Sequence, residues 1–209
     1  MIDLRALQQE LLGEHGPQGW WWPGEERFEI AVGAVLVQRS RWEQADLSII
    51  ALRAAGLLEP GALAGADEEL VRELVRGSGF PTSKPRRLQA LARWVEQRGE
   101  AALAMDDAAL RAELLAVEGI GEETADVIGL YCFERPAFVC DEYARRVLRE
   151  RGAEVPGSYR AFRREIAPAL ARADFTVAEL AELHGLLVEE GKRTSLRRAP
   201  MRRARSRTR

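Results

Sequence analysis

Soft metal ligands are scarce in this chain. Its 209 residues include two cysteines, Cys132 and Cys140, and two histidines, His15 and His184. So few cysteines argue against a disulfide-stapled fold and make a reducing, cytoplasmic setting the expectation. Their scatter also excludes a zinc ribbon or a four-cysteine cluster, and no metal site is expected. No apolar run reaches 18 residues, which argues against a membrane span. The first ten residues carry acids and lack an apolar centre, so they do not read as a secretory signal. Alternating strand patterns and repeats of solenoid period are missing too.

Hydrophobic residues make up 46% and charged residues 31%, which suits a globular chain with a sizeable core. The formal net charge of -2 conceals an asymmetry. Nine basic residues and no acid fall between Lys192 and Arg209, leaving 22 basic against 33 acidic residues before them. A basic tail on an acidic body points to a polyanion partner; it also reads as a disordered, solubilising segment.

Helical signals dominate. Residues 28–37 are nearly all apolar, which marks a buried central element without deciding between helix and strand. Helices are predicted over 43–55, over 68–76 behind Asp67, from Pro85 to Arg98, and after Asp106. Further helices follow over 122–133, after Asp141, over 158–172 with a kink at Pro168, and over 176–190. The fold class is all-α, with residues 193–209 disordered.

The stretch 114–151 carries the most chemistry. Gly119-Ile120-Gly121 joins two helices. Such a turn presents bare N–H groups at a helix N-terminus, a seat for phosphate; it also reads as a tight turn that needs glycine twice. Asp141 opens the next helix. It reads as an ordinary N-cap, and also as a carboxylate poised beside a developing cation. Trp20-Trp21-Trp22-Pro23 reads as packing or as a stacking surface.

Taken together, Gly119, Ile120, Gly121, Thr124, Ala125, Val139, Asp141, Arg146 and Val147 resemble the helix-hairpin-helix DNA glycosylase superfamily, the endonuclease III-like proteins. Val35 to Gln38, Ser78 to Lys84 and the pair His184-Gly185 extend the likeness over about residues 20–192. Within the superfamily, Trp21-Trp22-Pro23, Phe28-Glu29, Gly33 to Leu36, Gln38 and Trp42 are most similar to the 3-methyladenine glycosylase III group. The resemblance implies two helical domains with a helix-hairpin-helix motif and an interdomain cleft. One is a six-helix barrel over 25–135; the other joins 1–24 to 136–192.

It also implies a base-excision-repair enzyme acting on double-stranded DNA as a monomer, nucleoid-associated, with Asp141 catalytic. Trp21, Trp22, Pro23 and Trp42 would hold a flipped alkylated purine, where cation–π stacking stabilises a charged base. Gln38 and Phe80 fall where relatives wedge the duplex, and Gly119, Ile120, Gly121, Arg145, Arg146 and Lys192 would meet DNA. A monovalent cation at the hairpin is the one ion contemplated. Three departures matter. Glu123 stands where lyase members carry lysine, and a carboxylate cannot form a Schiff base. No cysteine follows Cys140, so no iron–sulfur cluster is expected. Leu186 stands where the glycosylase III group has a lysine after its His-Gly pair. The alternatives are weak activity on oxidised pyrimidines and a non-catalytic damage-binding protein on the same fold.

Overall fold

The computed structural model describes residues 2–24 and 26–204, with side chains as far as Thr194. Eleven α-helices and no strand form among the described residues. They are α1 (Leu4–His15), α2 (Arg27–Leu36), α3 (Trp42–Ala54), α4 (Pro60–Gly65), α5 (Glu68–Val75), α6 (Lys84–Leu103), α7 (Asp107–Ala116), α8 (Glu122–Phe133), α9 (Glu142–Glu150), α10 (Tyr159–Ala173) and α11 (Val177–Ala204). None of them is long and apolar enough to cross a membrane. The chain divides into two compact units, Pro23–Arg135 and Met1–Trp22 with Pro136–Arg209.

In the unit Pro23–Arg135, α2 is the central element. Phe28 and every residue from Ile30 to Leu36 are buried, which is what a helix apolar on all sides requires. The run left open between helix and strand is therefore helical. It packs on α3, α6 and α8, and α8 is itself buried from Thr124 to Cys132. Asp67 and Asp106 cap α5 and α7, accepting N–H bonds from Leu70 and Ala109. Lys84, wholly buried, donates to Leu36 O at 2.6 Å and Ser78 O at 2.5 Å. It thereby ties the end of α2 to the turn before α6. Burial, reinforced by Arg87, pulls its ammonium down to about 8.

The other unit packs α1 and α9 on α11, and α1 on α10. Asp3 caps α1, and Leu4, Leu7 and Leu11 form its buried face. This helix and α4 lie outside the sequence expectation. Arg5 fastens the unit by donating to Ala173 O and Asp174 O, both at 2.7 Å, and to the Glu179 carboxylate. Helix α10 runs on through Pro168. Helix α11 continues to Ala204, where the sequence reading places disorder from 193; residues 205–209 lie outside the described residues. Arg193 is held by Glu14 and, at 2.7 Å, by Glu190.

Candidate active site

Asp141 is the residue from which the site is built. The buried residues Phe138, Val139 and Cys140 lead into it. The Cys140 N–H donates to the Tyr159 hydroxyl at 3.2 Å, which fixes the approach to α9. Asp141 Oδ1 accepts the Ala144 N–H at 2.7 Å, the geometry of an N-cap. Asp141 Oδ2 faces His184 Nε2 of α11 at 3.8 Å. The residue is 8% exposed, so its carboxylate is largely withdrawn from water while one oxygen serves the helix.

Trp21 completes the group. Its ring meets His184 edge-to-face at 5.4 Å and 74°, and Trp22 at 6.2 Å and 79°. It lies against α11 where the helix has no side chain: a Cβ on Gly185 would stand 2.5 Å from Trp21 Cγ. The His-Gly pair thus has a physical reason. His184 reaches Asp141 and Trp21, and Gly185 lets the indole approach. A second glycine, Gly191, does the same for Tyr143, whose Cδ1 would be 2.7 Å from an added Cβ. Neither role was read from the sequence, although a glycine inside a helical pattern signals such close approach.

Lys192 and Arg146 lie beside this group. Lys192 Nζ lies 5.5 Å from the Trp21 ring centroid and pairs with Glu189 at 2.8 Å. Leu186 is fully buried and belongs to the core. Arg146 donates to Gly191 O at 2.8 Å and covers the Tyr143 ring at 5.6 Å. Arg145, expected to meet phosphate, is buried inside the unit. It donates to Pro156 O, pairs with Glu142 at 3.2 Å and stacks on Phe162 at 5.1 Å. Its charge is spent on the fold. Trp22 is buried, whereas Pro23 is exposed. Trp42, half-buried, opens α3 in the other unit.

The hairpin lies wholly within the unit Pro23–Arg135. Ile120 is a buried plug, and its N–H closes the turn on Val117 O at 3.1 Å. Gly119 has φ +82°, and a Cβ there would overlap Arg87 Cγ, so it must be glycine. Gly121 caps α8 at φ -89° with open space around it. The expectation that the turn needs glycine twice therefore holds for one position; Gly121 is dispensable to the fold. Gln38, expected as a wedge, is committed in the free protein. Its amide donates to Gly119 O at 3.1 Å and Thr124 Oγ1 at 3.0 Å and accepts from Arg87 at 2.8 Å. Phe80 is the opposite case: 44% exposed, at φ +53°, with the Arg39 guanidinium 5.4 Å from its ring. A bulky side chain held outward in the left-handed region is a costly arrangement for a surface turn. Glu123 is exposed in the first turn of α8.

Two metal possibilities can be weighed on residues. Cys132 and Cys140 are both buried free thiols, and burial pushes the Cys132 thiol far up. Two cysteines cannot supply four thiolates, so an iron–sulfur cluster held by four cysteines does not fit this chain's residues. Glu14, His15 and Glu190 bring ligand atoms within 4.8 Å of one another. Arginine already serves these carboxylates: Arg193 pairs with Glu14 and Glu190, and Arg151 lies 3.8 Å from Glu190. Burial alone would raise the Glu190 carboxyl; hydrogen bonds from Arg193 and His15 outweigh it and hold it below the usual range.

Comparison with known proteins shows the family. Residues 32–171 match the family described as HhH-GPD superfamily base excision DNA repair protein. A protein named as a DNA repair glycosylase in Methanocaldococcus jannaschii is 38% identical over 154 residues, 71% of this chain and 70% of its own. Endonuclease III of Sulfolobus acidocaldarius is 29% identical over 175 residues, 83% and 76% of the two chains. The crystal structure of H. pylori 3-methyladenine DNA glycosylase bound to 1,N6-ethenoadenine superposes with a TM-score of 0.74 at 30% identity, covering 91% of this chain and 96% of that one. With the hairpin, the capping aspartate and two thirds of the chain inside the family's span, this protein belongs to the HhH-GPD superfamily of base excision DNA repair glycosylases.

Proposed function

We propose that this protein is a monofunctional DNA N-glycosylase that removes an alkylated purine of the 3-methyladenine or ethenoadenine type. The observation that carries the reading is the Asp141–His184–Trp21 group. It joins a withdrawn carboxylate to an indole wall within one unit. Duplex DNA docks through the 119–121 hairpin, whose N–H groups take a backbone phosphate. The damaged nucleotide turns out of the stack, and its base rests against Trp21.

As the bond from C1′ to the base nitrogen breaks, its electron pair leaves with the base and positive charge grows on the sugar. Asp141 stabilises that charge and orients a water, whose oxygen bonds to C1′ while its proton passes through the carboxylate to solvent. 3-Methyladenine is already cationic, departs neutral and needs no acid; ethenoadenine is neutral, and its ring takes up a proton from solvent as the bond breaks. Glu123 offers no amine for a Schiff base, so the strand stays intact at the abasic site.

The test is a panel of duplexes carrying single lesions, with and without alkali. Release of 3-methyladenine or ethenoadenine, with strand cleavage only after alkali, is the expected result. Thymine glycol release would move the substrate to oxidised pyrimidines. Tight binding with no release would leave a damage-binding protein. Asp141→Asn keeps the cap, because asparagine caps as well as aspartate. It removes the charge and should lower release by at least about 100-fold, the usual cost of one preorganised electrostatic group.

A further inference from the structure

The mechanism above uses Asp141 and Trp21 and leaves His184 without a task, although His184 is the side chain that touches both. It is 5% exposed on α11. Its Nε2 lies 3.8 Å from Asp141 Oδ2 and its ring meets the Trp21 edge at 5.4 Å. The two oxygens of Asp141 are placed by different elements. Ala144 N–H fixes Oδ1. A carboxylate held at one oxygen can still rotate about its Cβ–Cγ bond, and the second oxygen is the one left to serve the sugar. We infer that His184 is a positioning residue for base release: its Nε2–H donates to Asp141 Oδ2, sets the carboxylate plane, and links that plane to the Trp21 wall. The inference rests on the glycosylase reading.

The 3.8 Å separation is longer than a hydrogen bond and shortens by under ~1 Å once DNA is bound, as catalytic contacts in free enzymes commonly do. Donation to a carboxylate from Nε2 requires the tautomer protonated at that nitrogen. Gly185 supports the same arrangement, because only a glycine there lets the indole lie close enough to brace the imidazole.

The test exploits side-chain length. The amide nitrogen of glutamine falls near imidazole Nε2, whereas that of asparagine falls near Nδ1. In single-turnover assays with saturating enzyme on the lesion duplex that the wild type processes, His184→Asn and His184→Met should each lose about 100-fold, the cost of an ångström-scale misplacement. His184→Gln should stay within about 10-fold of wild type, and all three should bind a duplex with an abasic-site analogue as tightly as wild type. If asparagine and glutamine behave alike, or if rates follow folded fraction alone, His184 only packs.

A measurement on the unmodified protein stands beside the variants. With two histidines in the chain, long-range proton–nitrogen spectra of the imidazoles resolve each ring. The expected His184 signal is protonated Nε2 with an unprotonated Nδ1; the reverse tautomer overturns the inference whatever the variants do. A wild type that releases no base from any lesion, with the expected tautomer present, refutes the glycosylase reading instead.

Discussion

Gly185→Ala is the sharpest probe of the geometry around Trp21. In the interior of a helix this substitution ordinarily stabilises by about 1 kcal/mol, because alanine loses less backbone freedom. Here the new Cβ would stand 2.5 Å from Trp21 Cγ and 2.6 Å from its Cβ and Cδ1. Carbon atoms pack at about 3.5–4.0 Å, so the shortfall is roughly 1 Å. The opposing atoms are the root of the indole, which cannot swing aside without moving the Trp21 backbone or α11. Overpacking of this kind costs about 1–3 kcal/mol. The propensity gain and the clash oppose each other, and the clash should win by up to about 2 kcal/mol. Gly13→Ala in α1 is the control, because nothing lies within 4 Å of its added methyl. Urea unfolding of the three proteins should place Gly13→Ala above wild type and Gly185→Ala below it, with base release falling in Gly185→Ala alone. If Gly185→Ala were stabilised as much as Gly13→Ala, Trp21 would not lie on α11 and the indole wall would have to be abandoned.

Gly121→Ala should leave the unfolding midpoint unchanged, since its φ is ordinary and its surroundings are open. It should still weaken binding to undamaged duplex in anisotropy titrations, because the methyl stands where a phosphate would approach; unchanged affinity would remove the hairpin from the interface. Lys84 titrates near 8 when folded and near its ordinary value when unfolded, so the unfolded chain holds the extra proton between those values. Stability relative to Lys84→Met should therefore rise from about pH 8 towards about pH 10, measured as urea midpoints; a constant difference would mean that the ammonium is not desolvated. Glu179 is held at about 2, chiefly by the hydrogen bond from Arg5 and then by Thr176. Its contribution is complete above the ordinary carboxylate range and is lost as pH falls towards about 2. Wild type should lead Glu179→Gln at about pH 6 and converge with it near about pH 2; parallel curves would refute the pairing.

Periodicity and caps carried most of the helices: Asp67, Asp106 and Asp141 each accept an N–H three residues on, where a capping residue should. Helix α1 is equally visible in Asp3, Leu4, Leu7 and Leu11, a cap and an apolar face that the sequence reading passes over. What could not be read was which partner each charge would choose. Arg145 and Arg146 are neighbours in sequence, yet one is buried against Glu142, Pro156 and Phe162 while the other reaches Gly191 on a distant helix. Long-range pairing of that kind depends on how α9 lies on α11, which local pattern does not encode. Gln38 shows the same limit: its three hydrogen-bond partners come from the hairpin, from α8 and from α6.

Asp141 shows why the most informative residue was also the most ambiguous. Cap and reactive carboxylate compete as readings, because a sequence assigns one side chain one position. In the fold the carboxylate has two oxygens with different surroundings, Ala144 N–H for one and His184 with Trp21 behind it for the other. A cap is the least costly way to hold a charged oxygen away from water, since its partner is an N–H group that the helix leaves unsatisfied in any case. On the glycosylase reading proposed above, the helix start fixes one oxygen and His184 faces the other, so that cap and reacting carboxylate are one arrangement seen from opposite oxygens. Asparagine and alanine at position 141 pull them apart: asparagine should keep the fold and lose the reaction, whereas alanine should lose the reaction and about 1 kcal/mol of stability as well.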